Sequence, residues 1–366
     1  MLRKFPTHTF RMVGMALAVT LLLAGCGKGC GKEKAGPSAK SSTLSLIPAG
    51  NNVLIGINLK KLQASPFGAK LKEKMPPEMA PFVENIEGIT IGVTAKGMGQ
   101  EPEGAVGIIE GKLDQAQLLA KMSEQAKKDG GEITNEEYNG VKIYSGPKDP
   151  DVGLAFVESV AVVGKKPGVK SVIDLSKKKG DSVESDANLM SLLKAVDSSK
   201  MLWAVAVVPA GAIPGGGGGG AGNPMAALSN IKAIDLAMDM SDKLTLDLGV
   251  IAGSADDAKQ MENMANSYKT LFGASLAQKE PKLGEVLSGM TVSSEGDRVV
   301  LNLQVEQSTV EELSKKAAGG MAGGPGADLE DGPMDEGSGD EMAPPADDGG
   351  EAAPEPQAAE PDTAQP

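Results

Sequence analysis

Between residues 44 and 316 the chain alternates two hydrophobic periods. Val53–Leu59 (VLIGINL), Ile89–Val93, Ala105–Ile109, Val152–Phe156 and Val160–Val163 are short apolar runs rich in β-branched residues, which predict strands. Met201–Val208 (MLWAVAVV) is apolar on both faces and predicts a central strand. Ile231–Met240 and Leu244–Ile251 alternate strictly, with Ile234, Leu236, Met238 and Met240 on one face and Leu244, Leu246, Leu248 and Val250 on the other strand's equivalent. Joining them through Ser241-Asp242-Lys243 pairs Met240 with Leu244 and keeps both apolar sets on one face. That face is expected to meet the core, and Asp235, Asp239 and Asp247 are expected on the wet one. Strands at 290–294 and 298–305 complete the set. Glu132–Tyr138 and Val141–Tyr144 flank Asn139-Gly140, a two-residue hairpin signal.

Helical spacing separates these runs. Ser65-Pro66 is a cap followed by a first-turn proline and opens a helix to about Lys74. Asp114 caps a helix to Asp129, ended by Gly130-Gly131. Helical pattern returns at 167–176 and 187–196. Ser254 with Asp257 resembles a capping box opening a helix to about Phe272, with Ala258, Met261, Ala265, Tyr268 and Phe272 as its apolar face. Ser308 with Glu311 predicts a last cap, its helix ending near Lys316.

Shifted by 142 positions, residues 107–122 lie over 249–264 without gaps. Gly107/Gly249, Ile109/Ile251, Gly111/Gly253, Asp114/Asp256, Ala116/Ala258 and Met122/Met264 are identical. Each stretch is a strand end, a turn and a helix start, and Asn139-Gly140 is taken to match Gly296-Asp297. The expected fold class is α+β, with a mostly antiparallel sheet. Two similar sheet-plus-helix units stand in tandem, 44–199 and 200–316, a pattern that points to duplication.

The two ends differ from this body. Arg3, Lys4 and Arg11 form a positive region, and Met12–Leu23 is an apolar stretch too short to span a bilayer. It runs into Leu23-Ala24-Gly25-Cys26. These residues resemble the signal of bacterial lipoproteins, in which a small residue precedes an invariant cysteine, the lipobox. The resemblance implies that residues 1–25 are removed and that Cys26 becomes the N-terminus, carrying diacylglycerol and an N-acyl chain such as palmitate. Position +2 is Gly27 rather than Asp, which is similar to lipoproteins sent on to the outer membrane. Residues 26–43 then form a flexible, lysine-containing tether. Cys30, the other cysteine, is left without an intramolecular partner. At the far end, residues 317–366 are acidic, rich in Gly, Pro and Ala, and expected to be disordered. The chain from Cys26 carries a formal charge of −16, of which −13 lies in 317–366. The acidity therefore belongs to the tail, not to a steering field on the fold.

Absences narrow the chemistry. The single histidine, His8, and two of the three arginines, Arg3 and Arg11, precede Cys26, so Arg298 is the one arginine left. Histidine-dependent nucleophiles and His-ligated metals are excluded. With few guanidinium forks and a negative balance, nucleic acid is not expected as a partner. Gly215–Gly220, within a Gly-rich loop at 214–224, lacks the following lysine of a phosphate cradle. Asp235, Asp239 and Asp247 could hold Ca²⁺ or form an acid/base pair, but no calcium-loop spacing accompanies them. Met238-x-Met240 and Met261-x-x-Met264 have spacings suited to Cu(I), yet core filling suits a chain this poor in aromatics. Ser191-Leu192-Leu193-Lys194 has the spacing of a Ser–Lys dyad within a predicted helix whose apolar residues need the same face.

The expectation is a non-catalytic, lipid-anchored cell-envelope protein with no cofactor and no metal, of protein-binding or structural role. Its partners would be the membrane, through acyl chains on Cys26, and another envelope protein. The alternative is a carrier of a lipid or other hydrophobic ligand. A wide apolar cavity would favour the carrier, and an exposed apolar patch would favour surface contact.

Overall fold

The computed structural model describes residues 41–75, 80–96, 102–213 and 228–320. Residues 1–40, which include the segment read as a signal, Cys26, Cys30 and most of the stretch read as a tether, lie outside the described residues, as do the loop 214–224 and the chain from 321. The described strands are β1 (Val53–Asn58), β2 (Ile86–Thr94), β3 (Gly104–Gly111), β4 (Thr134–Tyr138), β5 (Val141–Ser145), β6 (Val152–Val157), β7 (Val160–Lys165), β8 (Leu202–Val207), β9 (Ala233–Met240), β10 (Lys243–Ile251), β11 (Thr291–Glu295) and β12 (Arg298–Glu306). The helices are α1 (Ser41–Leu44), α2 (Leu59–Ala64), α3 (Pro66–Lys74), α4 (Ala80–Asn85), α5 (Gln115–Lys128), α6 (Lys166–Ser176), α7 (Ala187–Ala195), α8 (Ala255–Lys279), α9 (Pro281–Gly289) and α10 (Gln307–Gly320).

All these strands pair antiparallel in one sheet, ordered β11-β12-β10-β9-β8-β1-β2-β3-β7-β6-β5-β4. The fold is thus α+β around a large antiparallel sheet. The two stretches 44–199 and 200–316 share that sheet, because β1 pairs with β8, Gly56 opposite Trp203. In each stretch three strands adjacent in the sheet precede a helix, β1-β2-β3 then α5, with α2–α4 inserted between β1 and β2, and β8-β9-β10 then α8. Each then returns a strand beside its third one, β7 against β3 and β12 against β10, and ends in a helix. By position in the sheet, the counterpart of β11–β12 is therefore β6–β7. The Asn139-Gly140 hairpin, matched to Gly296-Asp297 from sequence, belongs to β4–β5, a pair with no equivalent among the described residues of the second stretch. Hairpin signals are local, so they locate a turn without saying which strand lies beside it.

Local chemistry explains most element boundaries. Asp114 accepts a hydrogen bond from the Gln117 amide (3.0 Å) and Ser65 from Gly68 (3.1 Å), each satisfying an unpaired amide of the first turn. Asn139 and Gly140 have φ of 49° and 77°, the left-handed pair that a tight hairpin needs. Met240 pairs with Leu244 as the alternating pattern required. Four short helices carried no readable period: α1, whose first three residues lie in the stretch read as tether, α2, α4 and α9. The last helix begins at Gln307, so Ser308 lies inside it rather than capping it, and Gln307 Nε2 donates to Glu311 Oε1 (2.8 Å).

The sheet has helices on both faces. One face buries Leu54, Ile108, Val162, Trp203 and Val205 under α6 and α7, whose Val169, Ile173, Leu189 and Leu193 complete the main core. Gly56 makes that packing fit, since a Cβ there would lie 2.1 Å from the Trp203 indole. The opposite face meets α2 and α3 through Ile57, Ile89, Met201, Met238 and Met240. It meets α8 through Val250, Val292 and Val299.

Candidate functional site

The aspartate row lies on the main-core face of the sheet, not on a wet one. Asp235 is 4% exposed and stands on the face shared by Ala233, Ala237 and Trp203. The countercharge is Arg298 on β12, whose Nη2 donates to Asp235 Oδ1 at 2.6 Å. The bond crosses over β10 at Gly249, where a Cβ would sit 2.0 Å from Asp235 Oδ2 and 2.3 Å from the guanidinium. A glycine at this register position is what lets two strands separated by a third exchange a charge. Asp247 accepts from Asn302 Nδ2 (2.7 Å), and Asp239 pairs with Lys61 (3.4 Å). Each carboxylate thus has its own local partner. Among the described residues no three His, Cys, Asp or Glu side chains gather as a metal cluster.

The other motifs are also separated by the fold. Met238 and Met240 pack with Leu59 and Leu62, whereas Met261 packs with Ala258 and Val299 in another cluster. Ser191 and Lys194 are exposed on α7, while Leu192 and Leu193 between them are buried. An open surface position gives such a pair no desolvation to free a lysine as a base. Cys26 falls outside the described residues.

The surface feature that stands out is α8. Its start follows the sequence: Ser254 Oγ accepts from the Asp257 amide (3.1 Å) and donates to Asp257 Oδ2 (2.9 Å). Its first turns bury Ala258 and Met261. Asn266 Nδ2 then donates to the Val292 carbonyl (3.5 Å), Lys269 Nζ to that of Met290, and Ser294 Oγ to Glu262 Oε2 (2.5 Å). The helix thereby covers the open edge of β11, the outer strand of the sheet.

Beyond Lys269 the helix runs past β11 and packs on α9, where a Cβ on Gly284 would lie 2.5 Å from that of Ala277. The 25 residues of α8 span about 37 Å. The five residues of β11 span only about 17 Å. Tyr268, Leu271 and Phe272 are 52%, 68% and 54% exposed, so the apolar face read from the sequence is open at Tyr268 and Phe272, while Leu271 lies on the side turned away from Ala258, Met261 and Asn266. The rings of Tyr268 and Phe272 stack 5.7 Å apart. Met264, Tyr268 and Leu271, with Gln260, Asn263 and Ser267, form an open stripe along the outer side of α8. Lys269 is the one charged residue between Asn263 and Gln278, a signal that was present in the sequence. By contrast, the apolar recess between α3 and α4, at Leu71, Met75 and Val83, has room for about 10 Å³.

A second polar cluster lies at the far end of the sheet. Tyr138 donates to Asp174 Oδ2 (2.9 Å), Asn139 Nδ2 to Asp174 Oδ1 (2.7 Å), and Lys170 stands 5.4 Å from the Tyr138 ring centre. The hydrogen bond to Asp174, with burial, holds the Tyr138 phenol above its ordinary range. These bonds fasten the β4–β5 hairpin to α6, a structural task.

No protein-family profile matches the chain. It is 26% identical over 200 residues to an uncharacterized protein of Methanocaldococcus jannaschii, covering 54% of this chain and 69% of that one. Two solved structures, crystal forms III and I of TP0453, superpose with TM-scores of 0.44 and 0.43 at 10% and 9% identity. They cover 75% and 77% of this chain and 97% and 98% of theirs.

Proposed function

We propose that the chain is a lipid-anchored, non-catalytic protein of the bacterial cell envelope, held at the outer membrane by acyl chains on Cys26 and acting by surface contact. The single observation that carries the contact reading is the distribution of apolar surface. It is gathered outward on α8, along an open stripe, while the recess between α3 and α4 has room for only about 10 Å³. That distribution favours contact over the alternative, a carrier enclosing a lipid. The non-catalytic reading is supported by the separate partners of Asp235, Asp239 and Asp247 and by the exposure of Ser191 and Lys194. The anchor is supported by the sequence around Cys26.

A duplicated ancestor belongs to the same reading. It is supported by the identities between 107–122 and 249–264, which span a strand end and the start of the following helix in each stretch, although Asp114 caps α5 whereas Asp256 lies within α8. A further identity is Leu175-Ser176-Lys177-Lys178, running out of the end of α6, and Leu313-Ser314-Lys315-Lys316 within α10, the helices that follow β7 and β12.

Metabolic labelling with palmitate in a bacterial host tests the anchor. The wild type should incorporate label and Cys26→Ser should not. Native mass spectrometry of the detergent-extracted protein tests contact against carriage. Stoichiometric non-covalent lipid that survives detergent exchange would favour the carrier.

A further inference from the structure

We propose that the exposed stripe of α8 rests on the bilayer surface to which Cys26 tethers the chain. The inference deepens the anchored reading above and rests on it. Three observations select a lipid surface rather than another occupant.

The first is chemical. Tyr268, Leu271 and Phe272 project from the part of α8 that has no strand beneath it, and their rim is Gln260, Asn263 and Ser267, all uncharged. The nearby charges are already held. Lys259 pairs with Glu262, Lys282 pairs with Glu285, and Lys269 donates to the Met290 carbonyl. Laying Tyr268, Leu271 and Phe272 into the boundary between head groups and acyl chains therefore buries none of these charges without its partner. A helix with aromatic and aliphatic side chains on one side is the form that lies in the plane of that boundary.

The second is size. Three side chains on one convex helix fall well short of the ~800 Å² per partner that a stable protein interface buries. A surface to which the molecule is already fastened needs much less intrinsic affinity, because the tether raises its effective concentration.

The third is reach. Ser41 lies 15 residues after Cys26, a length that spans at most ~50 Å when fully extended. Ile47 packs over Gly92 on β2, and α8 lies at the β11 edge. Six strand spacings separate them, about 29 Å along the sheet. Adding a helical layer of ~10 Å on each face still leaves the stripe within the tether's range.

The test uses the full mature chain with Cys30→Ser and Leu271→Cys, carrying an environment-sensitive NBD label at 271. It is anchored in phosphatidylcholine–phosphatidylglycerol vesicles, beside a control labelled through Lys142→Cys on β5. The expected result is a blue-shifted label at 271, several-fold less quenched by aqueous iodide than at 142, and quenched by nitroxide lipid at 271 only. Tyr268→Ser with Phe272→Ser should return the 271 label to water. Equal iodide access at 271 and 142 overturns the proposal. So does a blue shift that grows with protein concentration in lipid-free Cys26→Ser protein, which would mean that a second copy covers the stripe. Mass analysis of Cys26 separates the two ideas. An acylated Cys26 with a water-exposed 271 leaves the anchor standing and removes the membrane contact. An unmodified Cys26 removes the anchor, while vesicle-induced protection at 271 still supports the contact and its absence still refutes it.

Discussion

Replacing Arg298 by methionine removes the one charge that faces Asp235. The Asp235 side chain is 5% exposed and that of Arg298 28%. The carboxylate would stay behind in the core, next to Ala233 and Ala237, with Oδ2 already lacking a protein donor. Breaking a buried pair by deleting one partner costs about 3–5 kcal/mol. Because water reaches the guanidinium, the lower end is expected, about 3 kcal/mol. Replacing both partners, Asp235→Leu with Arg298→Met, leaves no uncompensated charge, and should recover most of that loss. The assay is urea unfolding followed by the fluorescence of Trp203, which sits two strands from Arg298's partner strand within the same core. The single variant should lower the midpoint without changing the slope, since the slope follows the surface exposed on unfolding. The four proteins form a double-mutant cycle, and a coupling of about 2 kcal/mol or more is expected. A single-variant loss below about 0.5 kcal/mol, typical of screened surface pairs, would refute the reasoning.

Gly56→Ala should destabilise by about 1–3 kcal/mol by driving a methyl into the Trp203 indole, measured as a fall in melting temperature. The Asp197 carboxyl is held below its ordinary range chiefly by the Ser199 hydroxyl. Its contribution to stability is therefore present above the unfolded-state value and lost as pH falls through the folded one. NMR titration should show the carboxyl returning upward in Ser199→Ala. Cys26→Ser should leave the protein extractable from membranes by carbonate, whereas a cleaved, carbonate-resistant variant would disprove the lipobox reading. Fluorophosphonate and cyclophellitol-type probes should leave the purified protein unlabelled, and stoichiometric labelling lost in Ser191→Ala would overturn the non-catalytic reading.

Local sequence determined the elements whose signals are complete within a few residues. Asp114 and Ser254 set helix starts because a side-chain oxygen satisfies an amide two or three residues on. Asn139-Gly140 set a hairpin because two consecutive positive φ values are cheap only for such residues. The alternation of 234–240 with 244–250 fixed their register, since a slip of one residue would invert every side chain. What alternation could not say is which face is deeper. Both faces of β9 carry helices, so Asp235 was placed in water by its charge and in the core by Arg298, a residue 63 positions away. Likewise the periodicity of α8 marked an apolar face, but burial needs something to bury against. Whether Tyr268 and Phe272 meet a strand depends on how long β11 is and where it begins, which only the assembled sheet decides. The pairing of β1 with β8, which joins two similar stretches into one sheet, is of the same kind: it is a contact between distant segments, and no local pattern encodes it.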